Sequence, residues 1–398
     1  MSLQDPRGRY ASLDALRGMA VLGILAVNAP FFAAPFEAAS DPALWPFRPA
    51  SPASLAVLAG VQILFESKMV SMFSMLFGVS LFLVGGERGD PQRSPVLKRR
   101  LWWLLLFGLL HGLFVWFGDV LFCYAISGFA VMLLRSWPAG RLIRTGALLW
   151  AALTGLLLLG GLAADAAPAA GIASGAPAIQ ASGYDGGFAD SLLANMREWT
   201  TTGVWAQVGG VLFTAPLMSI GLGLFKAGVL TGEARTRIYL GLIAAGAGGL
   251  AATAAVSLAA LRSGSPDATE NLLEGVLSST APLITLGYGS LLILGLRAGG
   301  AAAWLPRLLQ PVGRMAFTNY LTQSLIMTGL FYGGRGPGWH GEWDRPQLAL
   351  LVLAVWALQI AWSHLWLARF RMGPFEWLWR SLVAGRALPI TGRAQAGA

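Results

Sequence analysis

Ten stretches of this chain are apolar over a length that can cross a membrane, at about 15–34, 54–85, 100–117, 119–135, 142–163, 205–229, 236–261, 276–297, 315–333 and 348–367. Hydrocarbon offers the backbone no water to bond to, so each stretch must satisfy its own amides and carbonyls, and a succession of them folds as helices. With 56% hydrophobic and 12% charged residues and a mean hydropathy of +0.62, the chain lies far from a soluble domain, where charged residues make up about 25%. The expected fold is all-α, a polytopic helical membrane protein with about ten transmembrane helices, the second interrupted near Glu66-Ser-Lys68.

Basic residues set the expected orientation, because Lys and Arg flanking spans are retained on the cytoplasmic side. With both termini cytoplasmic, all 28 basic residues fall inside except Arg48, Arg197, Arg262, Arg335, Arg345 and the mid-span Lys68. Arg7 and Arg9 before Met19–Val27 imitate a signal peptide, but Asp14 and Asn28 make poor context for cleavage, so the segment reads as a retained span. The predicted location is the bacterial cytoplasmic (inner) membrane, with the lipid bilayer as the first partner.

The formal charge of +9 is spread over short loops rather than gathered on one stripe, which speaks against nucleic acid. Cys123 is the single cysteine, and His111, His340 and His364 lie at no metal-ligand spacing, so no metal site is expected. Three regions follow: a five-span half over 1–164, an extracytoplasmic Ala/Gly/Pro-rich loop over 165–204, and a second five-span half over 205–398. The loop is either a flexible linker or a cover over an outward-facing cavity.

Ionisable groups within spans are costly and point to function or to tight pairing. His111 lies roughly 16 Å into its span if the helix enters at Arg100, and Asp119 follows a Gly118 break. A carboxylate can fix the imidazole tautomer and stabilise the charged ring, which makes His111 a candidate general base; the alternative is a packing histidine. Tyr124 adds a hydroxyl nearby. Glu66 and Lys68 lie mid-span about 200° apart on an ideal helix, so either the helix breaks there or the two face different partners; a structural ion pair is the plain alternative. Asp14 and Arg17 share a face at the start of the first span, as an anchor or as a phosphate-holding pair. Asn319 with Gln323, and Gln359 with Ser363, share faces and suit interhelical hydrogen bonding, with ligand contact as the lesser reading. His340, in a Gly-rich outer loop, is expected to be solvated, and His364 to sit in the aromatic belt.

Five separated motifs carry a family resemblance: Leu13-Asp-Ala-Leu-Arg-Gly18; Phe65-Glu-Ser-Lys-Met69 with Met72-Phe-Ser-Met-Leu-Phe-Gly78; Leu110-His-Gly-Leu-Phe-Val-Trp-Phe-Gly-Asp-Val-Leu121 with Tyr124-Ala-Ile126; Gly313-Arg-Met-Ala-Phe-Thr-Asn-Tyr-Leu-Thr-Gln-Ser-Leu-Ile326 with Phe331-Tyr-Gly-Gly334; and Gly373-Pro-Phe-Glu-Trp-Leu-Trp-Arg380. In this order they resemble the bacterial YeiB-like family, whose C-terminal part is the domain of unknown function 418. More distantly the chain resembles the transmembrane acyltransferase group that includes the lysosomal heparan glucosaminide acetyltransferases. That resemblance implies acyl-CoA (acetyl-CoA) as a co-substrate from the cytoplasmic side, with no permanently bound cofactor. It also implies His111 as the acyl-transfer base and a small-molecule, lipid or glycan acceptor at the outer side.

On this reading Asp119 orients the ring or the acceptor, Asp14 and Arg17 serve the donor, and Glu66 and Lys68 line the same cavity. Tyr124, Asn319, Gln323 and Gln359 are further candidate substrate contacts. The competing expectation is a secondary transporter or exporter of a small or lipid-like molecule, with the same buried groups as a proton relay. Either form allows an oligomer.

Overall fold

A helix that is apolar all round belongs inside, and α1 (Ala11–Ala33) obeys: 67% of its most apolar stretch is buried. The computed structural model describes residues 10–166, 183–263 and 266–391. Arg7, Arg9, Arg393 and the middle of the expected outer loop, 167–182, lie outside the described residues.

After α1 come the short α2 (Phe36–Ser40), α3 (Pro52–Leu64), α4 (Lys68–Gly85), α5 (Arg93–Phe114), α6 (Leu121–Met132) and α7 (Ala139–Ala166). The second half holds α8 (Phe188–Glu198), a π-helical turn at Trp199–Gly203, α9 (Val204–Lys226), α10 (Thr236–Ser263) and α11 (Pro266–Ala298). It ends with α12 (Trp304–Arg314), α13 (Ala316–Phe331), α14 (Arg345–Arg369) and α15 (Pro374–Ala384). Apart from two isolated bridges, no extended pairing occurs among the described residues.

Seven helical stretches among the described residues are long and apolar enough to cross a membrane: α1, the broken pair α3–α4, α7, the continuous α8–α9, α10, α11 and α14. The remaining three of the ten expected spans fold as α5, α6 and α13. Helix α5 begins with Arg93, Lys98, Arg99 and Arg100, and α6 and α13 have only 12 and 16 residues. Such short pieces are tolerated at membrane depth where other helices surround them, since protein then replaces lipid as their environment.

The periphery reads differently from the centre. The apolar stretches of α7, α10 and α14 are only 22%, 22% and 28% buried, and leucines such as Leu148, Leu156 and Leu365 stand more than half exposed. So broad an apolar surface needs lipid around it. Helices in lipid associate through close packing at small residues. Helix α1 crosses α12 where Gly18 meets the Leu309 carbonyl and Gly313 meets the Asp14 carbonyl; a Cβ at either glycine would overlap backbone. Helices α4 and α9 cross in the same reciprocal way, Gly78 on Met218 and Gly221 on Met75.

The interruption expected at Glu66-Ser-Lys68 is present. Ser67 is left-handed, with φ 61°, and α3 ends one turn before it. The fully buried Lys68 reaches back to donate a 2.6 Å bond to the Gln62 carbonyl in the last turn of α3. A cation is favourable there because the carbonyls at a helix C-terminus are unpaired.

Candidate functional site

Helix α5 places His111 in its last turn; the chain then reverses through Trp116–Val120 into α6. The reversal brings Asp119 back onto the imidazole, with His111 Nδ1 2.9 Å from Asp119 Oδ1. The other carboxylate oxygen, Oδ2, accepts a 2.8 Å bond from the Phe122 amide in the first turn of α6, which fixes the carboxylate by a helix start. His111 is 4% exposed and Asp119 fully buried. A carboxylate at Nδ1 makes that nitrogen the protonated one and leaves Nε2 as the basic atom. Among the described residues His111 Nε2 has no hydrogen-bond partner. The Tyr320 ring lies 5.4 Å from the imidazole, and its hydroxyl accepts from the Val120 amide at 3.2 Å.

The face of this pair away from the arginines is covered. Asn195 on α8 donates to the Gly112 and Leu113 carbonyls at 2.8 and 2.9 Å and accepts from the Phe117 amide at 2.8 Å, clasping the end of α5. Trp199 lies against Gly112, where a Cβ would collide with its ring. Ser191 anchors α8 to the loop after α13 by a 2.8 Å bond to the Gly333 carbonyl. In the described part of this loop, α8 thus packs against the end of α5 and the loop after α13. In the same region His340 is half-buried rather than solvated, its ring 5.2 Å from that of Tyr184. Burial pushes the His340 imidazole down to about 4, with Asp185 acting in the opposite direction.

From the other end of the bundle a cavity of about 260 Å³ runs inward between α1, α4, α5, α13 and α15. Its mouth carries Arg17, Arg100, Arg314 and Arg380 with two carboxylates, Asp14 and Glu376. Arg17 bonds Asp14 and Ser80, each at 3.1 Å, and Arg100 stacks on Trp379 at 4.0 Å. Glu376 accepts from the Phe317 and Thr318 amides at 2.8 and 3.1 Å, so α15 supplies the N-terminal cap that α13 lacks in its own sequence. Burial raises the Glu376 pKa, and the bonds from Thr318 and Phe317 lower it. Beyond the mouth the walls are apolar, with Phe73, Leu76, Leu104 and Phe317. The inner end is formed by Val120, Tyr124 and Tyr320. Val120 adjoins Asp119 in the chain, and Tyr320 touches His111, so the cavity ends against the buried pair.

The predicted residues separate into three places. Asp14, Arg17 and Tyr124 line this cavity, and His111 and Asp119 lie behind its inner end. Tyr124 shares a 2.8 Å bond with Ser74 and donates to the Val70 carbonyl. Glu66 does not line the same cavity: it faces a second one, away from the dyad, and Lys68 is occupied by Gln62. The helix break separates their surroundings: Lys68 bonds the Gln62 carbonyl, and Glu66 faces the second cavity.

Asn319, Gln323 and Gln359 bond chiefly to one another and to nearby backbone. Gln323 donates to Gln359 at 2.8 Å and to the Val21 carbonyl at 3.0 Å, Gln359 to the Asn319 carbonyl at 2.8 Å, and Asn319 to Ser363 at 3.1 Å. They tie α1, α13 and α14 together by interhelical hydrogen bonds. Sequence reasoning assigned no role to Tyr320, Arg100, Arg380, Glu376 or Asn195. Tyr320 and Glu376 lie inside the quoted motifs, next to Asn319 and after Gly373-Pro, so their signal was present. Among the described residues no group of three or more His, Cys, Asp or Glu side chains is placed to hold a metal ion.

Fold and site together define an all-α, multi-pass integral membrane protein with a basic-mouthed cavity leading to a buried histidine–carboxylate pair. Residues 224–386 match the family described as "Protein of unknown function (DUF418)". The chain is 34% identical over 396 residues to "Uncharacterized protein YeiB" of Escherichia coli (strain K12), covering 97% of this chain and 100% of that one. It is 31% identical over 395 residues to "Uncharacterized protein YxaH" of Bacillus subtilis (strain 168), covering 94% of each. The chain belongs to the YeiB-like, DUF418-containing family.

Proposed function

We propose that this protein is a transmembrane acyltransferase of the bacterial cytoplasmic membrane, taking acyl-CoA from the cytoplasm at the arginine-lined mouth and passing the acyl group to a small-molecule, lipid or glycan acceptor at the outer side. The observation that carries the reading is the cavity, with four guanidiniums at one end and the His111–Asp119 pair behind the other. Arginines suit the diphosphate and phosphate of coenzyme A because a guanidinium meets phosphate bidentately. The apolar walls suit the thioester arm, whose acyl end would stop beside Tyr320. The basic end then faces the cytoplasm, in keeping with the retention of Lys and Arg on that side.

His111 Nε2 takes the proton of the acceptor hydroxyl or amine as that atom attacks the thioester carbonyl. A C–O or C–N bond forms, the C–S bond breaks, and the coenzyme A thiolate leaves and recovers the proton from the imidazolium. Asp119 holds the ring in the tautomer this needs and stabilises its charged form. Tyr320 closes the inner end of the cavity against water.

The test is calorimetry of acetyl-CoA with the purified protein, alongside transfer of labelled acetyl groups from acetyl-CoA to a membrane extract. Arg17→Ala is expected to weaken binding. His111→Ala is expected to keep binding and lose transfer. A protein that binds no short or long acyl-CoA would overturn the assignment and favour the secondary transporter, whose sign is proton-coupled flux through the same residues.

A further inference from the structure

A second cavity, about 480 Å³, lies at the end of the bundle opposite the arginine mouth, between α3, the end of α10, the early turns of α11 and the start of α14. The helix break at Ser67 shapes it. Gln62, in the last turn of α3, is 8% exposed and lines the cavity, and its Oε1 has no hydrogen-bond partner among the described residues. A buried acceptor left unpaired is costly and calls for a donor. Glu66, in the break itself, lines the same space.

Charge is sorted within the cavity. Arg345 is 5% exposed, stacked on Trp45 at 4.2 Å, and close enough to Arg48 to feel its charge. Glu66 is within electrostatic reach of Glu274 and, more strongly, of Lys68, which offsets part of the negative side. Asp344, bonded to Ser54 and Trp45, offsets part of the positive side. Like charges gathered around one cavity favour a ligand of opposite sign between them. The remaining walls, including Leu55, Leu58 and Leu277, are apolar.

We propose that this cavity binds a zwitterionic head group that carries a primary ammonium and a phosphate. The phosphate lies between Arg48 and Arg345; the ammonium lies at Glu66 and Glu274 and donates one N–H to Gln62 Oε1. An aminophospholipid of the bilayer and a free phosphoethanolamine-like solute share this chemistry, and the apolar walls suit the chains of the first. The site stands apart from the dyad and does not depend on the acyl-transfer reading.

The test is native mass spectrometry of the whole protein with phosphatidylethanolamine, phosphatidylcholine or phosphatidylglycerol, and separately with soluble phosphoethanolamine. Phosphatidylethanolamine is expected to be retained about tenfold more tightly than either of the other lipids, because methylation removes the N–H donors and glycerol removes the ammonium. Retention of phosphoethanolamine alone would keep the head-group site and assign it to a soluble ligand. Arg48→Ala and Glu274→Gln, both at exposed rim positions, are each expected to weaken retention about tenfold with the melting temperature unchanged. Equal retention of all three lipids, or variants that bind as the parent does, would overturn the proposal.

Discussion

Asn195 and Phe117 are joined by a 2.8 Å bond from the Phe117 amide to the Asn195 side chain, and the same side chain donates to the Gly112 carbonyl, so one amide spans the turn that follows His111. Asn195 is itself fully buried. Asn195→Ala leaves a buried N–H and two carbonyls without partners and is expected to cost about 1–3 kcal/mol of stability. Chemical denaturation in detergent measures it; a change within error of zero would show that the clasp does not hold the turn.

Asp119→Asn separates position from charge. An asparagine oxygen can still accept from the Phe122 amide, so the start of α6 is expected to persist, whereas the imidazole loses the charged acceptor that holds the proton on Nδ1. Acyl transfer is expected to fall by about 10²–10⁴-fold with acetyl-CoA affinity retained. Single-turnover transfer beside binding calorimetry separates the two. An unchanged rate would remove Asp119 from the chemistry.

Gly313→Ala probes the crossing of α1 and α12. The added methyl meets the Asp14 carbonyl, and overpacking against backbone costs about 1–3 kcal/mol. Because Gly313 also lines the cavity mouth beside Arg17, a weaker acetyl-CoA affinity is expected with the lower melting temperature. An alanine variant equal to the parent in both would contradict this packing.

The outer cover is expected to respond to acid. His340 is held neutral, its pKa lowered by burial to about 4 against an ordinary 6.5. Between those values the unfolded state binds the proton more readily than the folded one, so stability falls as pH drops from about 6.5 toward 4 and is fully present above that window. Limited proteolysis at the cover across this range reads it. The steepness is expected to lessen in His340→Gln; an equal pH dependence in parent and variant would assign the effect elsewhere.

Much of this was legible in the chain itself. Apolar runs declared the class, Glu66-Ser-Lys68 marked the break, and Gly118 before Asp119 marked the reversal that returns a carboxylate to His111. These are local signals, carried within a few residues. The cavity was not legible, because its parts converge from far apart: Tyr320 meets Val120 across 200 positions and Trp379 meets Arg100 across 279. Helix packing of that range leaves no periodic trace in sequence. Hydropathy likewise marks α6 and α13 as apolar without showing how short these helices are or how much protein packs around them. Helix α8 was missed because the Ala/Gly/Pro-rich residues before it dominate the composition of the loop.

The cover over the imidazole and the membrane helix α9 are a single rod, joined through the π-helical turn at Trp199–Gly203. Thr214, farther along that rod, bonds Ser127 of α6 at 2.7 Å and Cys123 at 3.4 Å. Any displacement of α8 would therefore act as a lever, either unwinding the π turn or tilting α9 and dragging on the short helix that follows Asp119. The position of α8 over the imidazole and the set of the short helix that follows Asp119 are thus mechanically coupled through α9.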